Sequence, residues 1–346
     1  MSDVLRIGFI GAGLIGTFHS KMLRAASAQI ERAGVYDPDI ERAQQFADAS
    51  GHTVCISEEA VLDGCDAVYI CTWTSEHARL VAAAAARGLS IFCEKPLATD
   101  LATARSMADA VHAAGVTNQV GLILRRSPAY LMAHQLINDP QAGRLMTVIF
   151  GDDQFIPIQG HYASTWRSDP QKAGSGALLE HSIHDIDMFH YLCGPIERLN
   201  AHKSNFHGYE HIEDVVSASL RFTSGATATL TSVWHDNLTR PSLRRVEIFC
   251  ERRHIVIEGD DWFGPVSWMD SDGSTEVLQD EALVDAAAVV LDGPANPDVA
   301  FVQAVLDNAP AWPDFETAVD AHSIVDAMYR SADANGATVE LRGSPR

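Results

Sequence analysis

The segment LRIGFIGAGLIG, residues 5–16, carries the first structural signal in the chain. Its first half is an apolar run of strand length. Its second half spaces Gly11, Gly13 and Gly16 as G-x-G-x-x-G, with Leu14 and Ile15 between them, and the following residues, TFHSKMLRAA, have helical spacing. Strand, glycine turn and helix in that order let backbone approach a pyrophosphate held at a helix N-terminus. Alone the motif is weak. It gains weight from Asp37, which ends the next strand pattern 21 positions after Gly16. A carboxylate there hydrogen-bonds the ribose hydroxyls and repels a 2′-phosphate; Pro38 and Asp39 follow with no immediate basic residue, so NAD is expected over NADP.

Moving outward, IERAQQFADAS reads as helix, DAVYICTWT as strand, and SEHARLVAAAAARG as a helix closed by Gly88. LSIFCEKP is a strand halted by Pro96, DLATARSMADAVHAAG a helix with Asp100 as N-cap and Gly115 as its stop, and VTNQVGLIL a strand. Repeated β–α units predict an α/β fold with a doubly wound parallel sheet over residues 1–123. Ligands of such sheets lie outside the carboxyl ends of the strands. Thr72, Trp73, Glu94 and Lys95 fall there, with His77 on the helix that follows, and all are candidates for cofactor contact. Lys95 stands out. The chain has four lysines (Lys21, Lys95, Lys172, Lys203), and an ammonium at the end of an apolar strand is placed to hold a substrate oxygen while the attached carbon exchanges a hydride.

After residue 124 the pattern changes. PAYLMAHQLIND is helical, GRLMTVIFGDDQF is a strand, and a long polar loop, IPIQGHYASTWRSDPQKAGSG, follows. Beyond residue 194 strands crowd together around Ser-Gly and Asp-Gly turns, which predicts a large, mostly antiparallel open sheet in a second domain over 124–346. A chain of 346 residues is long enough for two domains. A formal charge of −21 argues against a nucleic-acid or anionic-membrane partner. The six cysteines show no C-x-x-C and sit in apolar runs, which fits a reducing cytoplasm; no run suits a membrane helix and the N-terminus leaves no room for a signal peptide.

GALLEHSIHDIDMFHYLCG, residues 176–194, mixes core residues with ionisable ones. At 100° per residue, Glu180, His184, Asp187 and Tyr191 share one narrow stripe of a helix, while His181 and Asp185 fall toward another face. His184 suits a base that takes a hydroxyl proton near neutral pH, with Glu180 and Asp187 orienting it or binding neighbouring hydroxyls. Zinc is disfavoured and no metal is expected: His181 and His184 form H-x-x-H rather than H-E-x-x-H, and no thiol cluster helps. Arg126 is a candidate for holding ligand oxygens or carboxylates, and Trp234 with His235, at a strand end, for stacking on a ligand ring.

AGLIG, EKPLA and the later GSGALLEHSIHDID that follows WR together resemble the Gfo/Idh/MocA oxidoreductases, the family of glucose–fructose oxidoreductase and inositol dehydrogenase; the likeness runs in order through nearly the whole chain. The resemblance implies a Rossmann domain followed by an α/β domain. One face of that domain's sheet carries helices, and the other often forms a dimer or tetramer interface. It implies NAD(P)-dependent oxidation or reduction at a carbinol or ketone of a sugar, cyclitol or derivative. It assigns Lys95 to the E-K-P lysine, His184 to general acid–base catalysis, and Trp166 and Arg167 to the neighbourhood of nicotinamide and substrate. Where the family has an aspartate before the histidine this chain has Glu180, a departure that keeps the charge but lengthens the arm. Alternatives within the fold are an NAD-dependent glycoside hydrolase and a non-catalytic NAD-responsive regulator; retention of both Lys95 and His184 argues against the regulator.

Overall fold

Six short strands make the first sheet: β1 (Leu5–Ile10), β2 (Ile30–Tyr36), β3 (Thr53–Val54), β4 (Ala67–Ile70), β5 (Ser90–Cys93) and β6 (Asn118–Val120). The computed structural model describes residues 4–160, 162–259 and 264–341. Every pairing in this sheet is parallel and the order is β3-β2-β1-β4-β5-β6, the doubly wound arrangement expected from the β–α alternation. Five helices connect the strands: α1 (Leu14–Met22), α2 (Ile40–Ser50), α3 (Glu58–Asp63), α4 (Thr74–Ala85) and α5 (Leu101–Ala114). Their ends are locally encoded. Asp39 caps α2 by accepting from the amides of Glu41 and Arg42, Asp100 caps α5 through Thr103, and Gly115 ends α5 in the left-handed region. Each such N-cap stabilises its helix by about 1 kcal/mol.

The second sheet has nine strands: β7 (Leu145–Phe155), β8 (Ile196–Ser204), β9 (Val215–Phe222), β10 (Thr227–His235), β11 (Leu243–Cys250), β12 (Arg253–Glu258), β13 (Val266–Asp270), β14 (Thr275–Leu278) and β15 (Val339–Glu340). Their order is β14-β13-β12-β11-β7-β10-β9-β8-β15. The sheet is antiparallel except where β10 runs parallel to β7. Hairpins close at Ser224–Gly225 and Asp272–Gly273, as the turn residues predict. Residues alternate strictly: Val216, Ala218, Leu220 and Phe222 of β9 are buried, and so are Ala228, Leu230, Ser232 and Trp234 of β10. Their neighbours Ser217, Ser219, Thr229 and Thr231 are exposed. Helices α6 (Pro128–Asn138), α7 (Pro170–Ala173), α8 (Ala177–Glu180), α9 (Ile183–Cys193) and α10 (Asp280–Val290) belong to this part, and Phe189 of α9 packs on Phe150 and Phe222 of the buried face. Helix α10 has no counterpart in the sequence reading, because it follows β14 with no glycine, proline or asparagine to mark the change.

The described chain forms two compact units, Met1–Ile123 with Gly293–Val319, and Leu124–Asp292 with Asp320–Arg346. A single boundary at 124 therefore needs correction, since residues 293–319 return to the first unit. That segment holds α11 (Pro297–Leu306) and the start of α12 (Phe315–Asp333). Phe301 and Val302 are fully buried in one core with Phe9, Tyr69 and Phe92, and the Val120 amide donates to the Pro313 carbonyl at 2.9 Å. A parallel sheet needs both faces covered, and α11 completes the cover.

Candidate active site

In the first unit the candidates gather at the carboxyl ends of β1, β2, β4 and β5. Gly11 has φ +96°, and a Cβ there would lie 2.4 Å from the Cys71 carbonyl oxygen, so only glycine lets β1 pass β4 at this point. Gly16 is buried under the Gly11 carbonyl. At Gly13 nothing lies within 4 Å of the position a Cβ would take, and the start of α1 has no side-chain cap. An open cradle before uncapped amides fits the pyrophosphate of a dinucleotide. Leu14, exposed, and Ile15, partly buried, form its rim. Asp37 is buried; one oxygen accepts from the Ala12 amide at 2.9 Å, the other from the Asp39 amide at 2.9 Å and from Arg42 at 3.3 Å.

Arg42 is a residue that sequence reasoning missed. It follows Asp37 by five positions, and the helical turn of α2 brings it back. Removing the Asp37 carboxylate leaves that guanidinium, held also by Asp39 at 3.2 Å, able to pair with a 2′-phosphate. Asp37→Ala is therefore expected to lower the dissociation constant of NADPH relative to NADH by about tenfold, roughly 1.4 kcal/mol. Fluorescence titration of both coenzymes checks this, and an unchanged ratio would contradict it.

Thr72 and Trp73 lead into α4, with Trp73 exposed. His77 is buried and directs Nδ1 at the carbonyls of Pro96 and Leu97, 3.1 and 3.3 Å away. It braces the loop after β5, which corrects its expected place among the cofactor contacts. Glu94 is likewise buried, with one oxygen 2.9 Å from His19 Nε2 and the other accepting from the Lys95 amide at 3.1 Å. The Lys95 side chain is partly buried.

In the second unit, Glu213 organises the turn before α8. Its carboxylate accepts from the Ser175 hydroxyl at 2.8 Å, the amides of Gly176 and Leu178 at 3.0 and 2.9 Å, and the Tyr329 hydroxyl at 2.9 Å. Backbone and backbone meet so closely here that a Cβ on Gly176 would lie 1.9 Å from the Glu213 carbonyl oxygen. The helix expected over 176–194 is broken: α8 ends at Glu180 and α9 begins at Ile183, with the Ser182 hydroxyl donating to Ser232 at 2.6 Å. Glu180 and His184 thus sit on different helices, which corrects the single stripe.

The side chains of that stripe have separate partners. Glu180 is buried and accepts from Arg167 Nε at 3.0 Å, and the Arg167 guanidinium lies over the Trp166 ring, 4.5 Å from its centroid. Asp187 is buried against Arg125, which donates from Nε at 2.9 Å and from Nη2 at 2.7 Å. Asp187 is therefore the counter-ion of Arg125 and too buried to bind substrate, and breaking such a buried pair costs about 3–5 kcal/mol. Tyr191 stacks on His134 with centroids 4.6 Å apart. His184, on α9, is buried at 8% exposure. Arg126 is partly buried, and burial lowers its pKa against the raising effect of Asp292.

Two further expectations are corrected. Trp234 is buried at 2% exposure among Ile156, Ala177 and Ile212, so it is core and does not stack on a ligand. His235 folds back, its Nδ1 accepting from the Asn237 amide at 3.1 Å, with Nε2 3.6 Å from Asp153. A pocket of about 770 Å³ is lined by Gln159, Thr165, Ser168, His207, Tyr209 and Asp236, within the size range of small-molecule sites. Thr165 and Ser168 flank Trp166 and Arg167 in the chain.

The face of α9 away from His184 holds a buried charged cluster. His181 Nε2 lies 2.7 Å from Asp152 and 3.1 Å from Arg244 Nη2, and Arg244 Nε donates to Asp185 at 3.0 Å. Among the described residues no group of three or more His, Cys, Asp or Glu is arranged to hold a metal. Burial, then the neighbouring Asp152 charge, outweigh Arg244 and raise Asp185 to about 8. A carboxyl that keeps its proton only in the folded state loses stability as pH rises from its ordinary 3.8 through about 8. Asp185→Asn should therefore gain melting temperature relative to wild type across that window, and level off above it. A difference independent of pH would contradict this.

Residues 5–122 match the model of an oxidoreductase family with an NAD-binding Rossmann fold, and residues 130–256 match the GFO/IDH/MocA C-terminal domain. The chain is 31% identical over 217 residues to levoglucosan dehydrogenase of Pseudarthrobacter phenanthrenivorans, covering 57% of this chain and 53% of that protein. It is 31% identical over 242 residues to 1,5-anhydro-D-fructose reductase of Ensifer adhaerens, 68% of this chain and 69% of the relative. With inositol 2-dehydrogenase of Cereibacter sphaeroides it shares 31% over 191 residues, 54% of each chain. The match thus spans about half the length of the first and third relatives. Among solved structures, levoglucosan dehydrogenase in complex with NADH and levoglucosan superposes with a TM-score of 0.88 at 23% identity, covering 98% of this chain and 100% of that one. An oxidoreductase domain protein from Kribbella flavida gives 0.86 at 22% identity, covering 99% and 100%. The Rossmann glycine turn, the Glu94–Lys95–Pro96 loop and the α8–α9 segment thus place this chain in the Gfo/Idh/MocA oxidoreductase family.

Proposed function

We propose that this protein is an NAD-dependent dehydrogenase that oxidises a ring hydroxyl of a sugar, anhydrosugar or cyclitol to a ketone, or runs the reverse reduction. The observation that carries the reading is the convergence, at one edge of one parallel sheet, of the open Gly13 cradle, the Asp37 carboxylate and Lys95. The relatives levoglucosan dehydrogenase, 1,5-anhydro-D-fructose reductase and inositol 2-dehydrogenase support this reading, since each name pairs an oxidation or reduction with a polyhydroxylated six-membered ring.

In the oxidation a C–H hydride and an O–H proton leave the carbinol. Bound NAD supplies the hydride acceptor at its nicotinamide ring. Gly11, Gly13, Leu14, Ile15 and Gly16 hold the pyrophosphate end, and Asp37 takes the ribose. Lys95 donates to the reacting oxygen and stabilises it as charge develops. His184 accepts the hydroxyl proton. Glu180 holds Arg167, and through it Trp166, at the substrate. The exposed Ser, Thr and Ile149 face of the nine-stranded sheet, opposite its helix-covered face, is where copies of the chain associate. Six free cysteines suit a cytoplasmic location, and among the described residues no helix is long and apolar enough to cross a membrane.

A panel of sugars, anhydrosugars and cyclitols incubated with NAD⁺ at alkaline pH tests the reading. NADH in stoichiometric amount supports a dehydrogenase. Glycoside cleavage without net NADH would instead assign the hydrolase chemistry of the same fold.

A further inference from the structure

His19 lies three residues after Gly16 on α1 and is fully buried. Its Nε2 is 2.9 Å from Glu94 Oε1 and its Nδ1 is 2.8 Å from Asp298 Oδ1. Ionised carboxylates only accept, so the ring satisfies both contacts by carrying a proton on each nitrogen. Burial alone would strip one proton; the charges and hydrogen bonds of Asp298 and Glu94 outweigh it and raise the group to about 10. The other neighbours on the packed elements are the rings of Phe18, Tyr69 and Phe92, at 5.6, 5.6 and 4.7 Å. Nearby Cys71 and Cys93 are pushed well up, by burial and then by the Glu94 charge. The second Glu94 oxygen holds the Lys95 amide at 3.1 Å, and the Lys95 charge also favours the ionised Glu94. Along the sequence of contacts the signs alternate: Asp298 negative, His19 positive, Glu94 negative, Lys95 positive.

We propose that His19 is a positioning residue for Lys95, a fixed buried cation that balances Glu94, keeps its carboxylate on the Lys95 amide and leaves the Lys95 ammonium to the substrate oxygen. The inference rests on the catalytic reading of Lys95. Without the imidazolium, Glu94 has Lys95 as its remaining cation, and the ammonium is drawn to the carboxylate. Asp298 serves as the second counter-ion that keeps the imidazolium in a dry core.

The test has two arms. In the intact protein labelled with ¹³C and ¹⁵N, the His19 ring, assigned by through-bond correlation to its own backbone amide, should show both nitrogens protonated from about pH 6 to about pH 9. A neutral tautomer in that range overturns the proposal. This arm needs no substrate, so it stands or falls independently of the dehydrogenase reading. In the second arm, turnover of levoglucosan or myo-inositol, whichever the wild type oxidises, is compared in His19→Gln and His19→Gln/Asp298→Asn. The single variant should lose melting temperature and the double variant regain it, since one uncompensated buried charge has gone. Both should keep NADH affinity within about threefold of wild type while kcat falls about tenfold or more. Recovery of wild-type kcat together with stability would make His19 structural only and overturn the proposal. Should neither variant fold, the tautomer measurement decides.

Discussion

Lys95→Ala is expected to lower kcat by about 10²–10³-fold, the scale on which one donor aimed at a developing oxyanion acts, while the dissociation constant for NAD⁺ stays within a few-fold. Glu94 holds the Lys95 backbone amide and His77 braces the Pro96 and Leu97 carbonyls, so these two contacts of the loop survive truncation of the Lys95 side chain. Steady-state kinetics with a coenzyme titration on the same preparation measures both quantities. A kcat within threefold of wild type would remove Lys95 from the chemistry.

His184→Ala is expected to cost about 10²–10⁴-fold in kcat, the usual contribution of a positioned base. It should also change the shape of the pH profile. In the wild type an acid limb reports loss of the proton acceptor; in the variant the rate should climb with hydroxide and show no plateau. The two signatures separate a base from a packing residue, because a merely destabilised protein would lose amplitude and keep the limb. Since His184 lies on α9, just after α8 and the Gly176 turn that Glu213 holds, melting temperature belongs beside each rate measurement.

Much of the first unit was legible in the chain. The glycine turn, the β–α alternation and the caps at Asp100 and Gly115 are local signals, and the structure carries each of them out. Contacts between residues distant in sequence were not legible. The return of residues 293–319 depends on Phe301 and Val302 filling a core built from β1, β4 and β5. At the break after Glu180 the Ser182 hydroxyl is held by Ser232, 50 residues away, and the pairing of Asp187 depends on Arg125, 62 residues away. Trp234 is different. It lies in phase with Ala228, Leu230 and Ser232 on β10, so strand alternation alone marked it for the covered face. Arg42 and His19 also had signals, one helical turn beyond Asp37 and Gly16, but a search for residues directly adjacent to the motifs passed over them.

Deuterium placed on the carbinol carbon of an oxidised sugar or cyclitol tests the central claim most directly. Direct hydride transfer predicts that the label appears on the reduced nicotinamide, one equivalent per ketone formed, and that the labelled substrate turns over more slowly when chemistry limits the rate. Product without label in the coenzyme, or cleavage with no net NADH, would contradict the account.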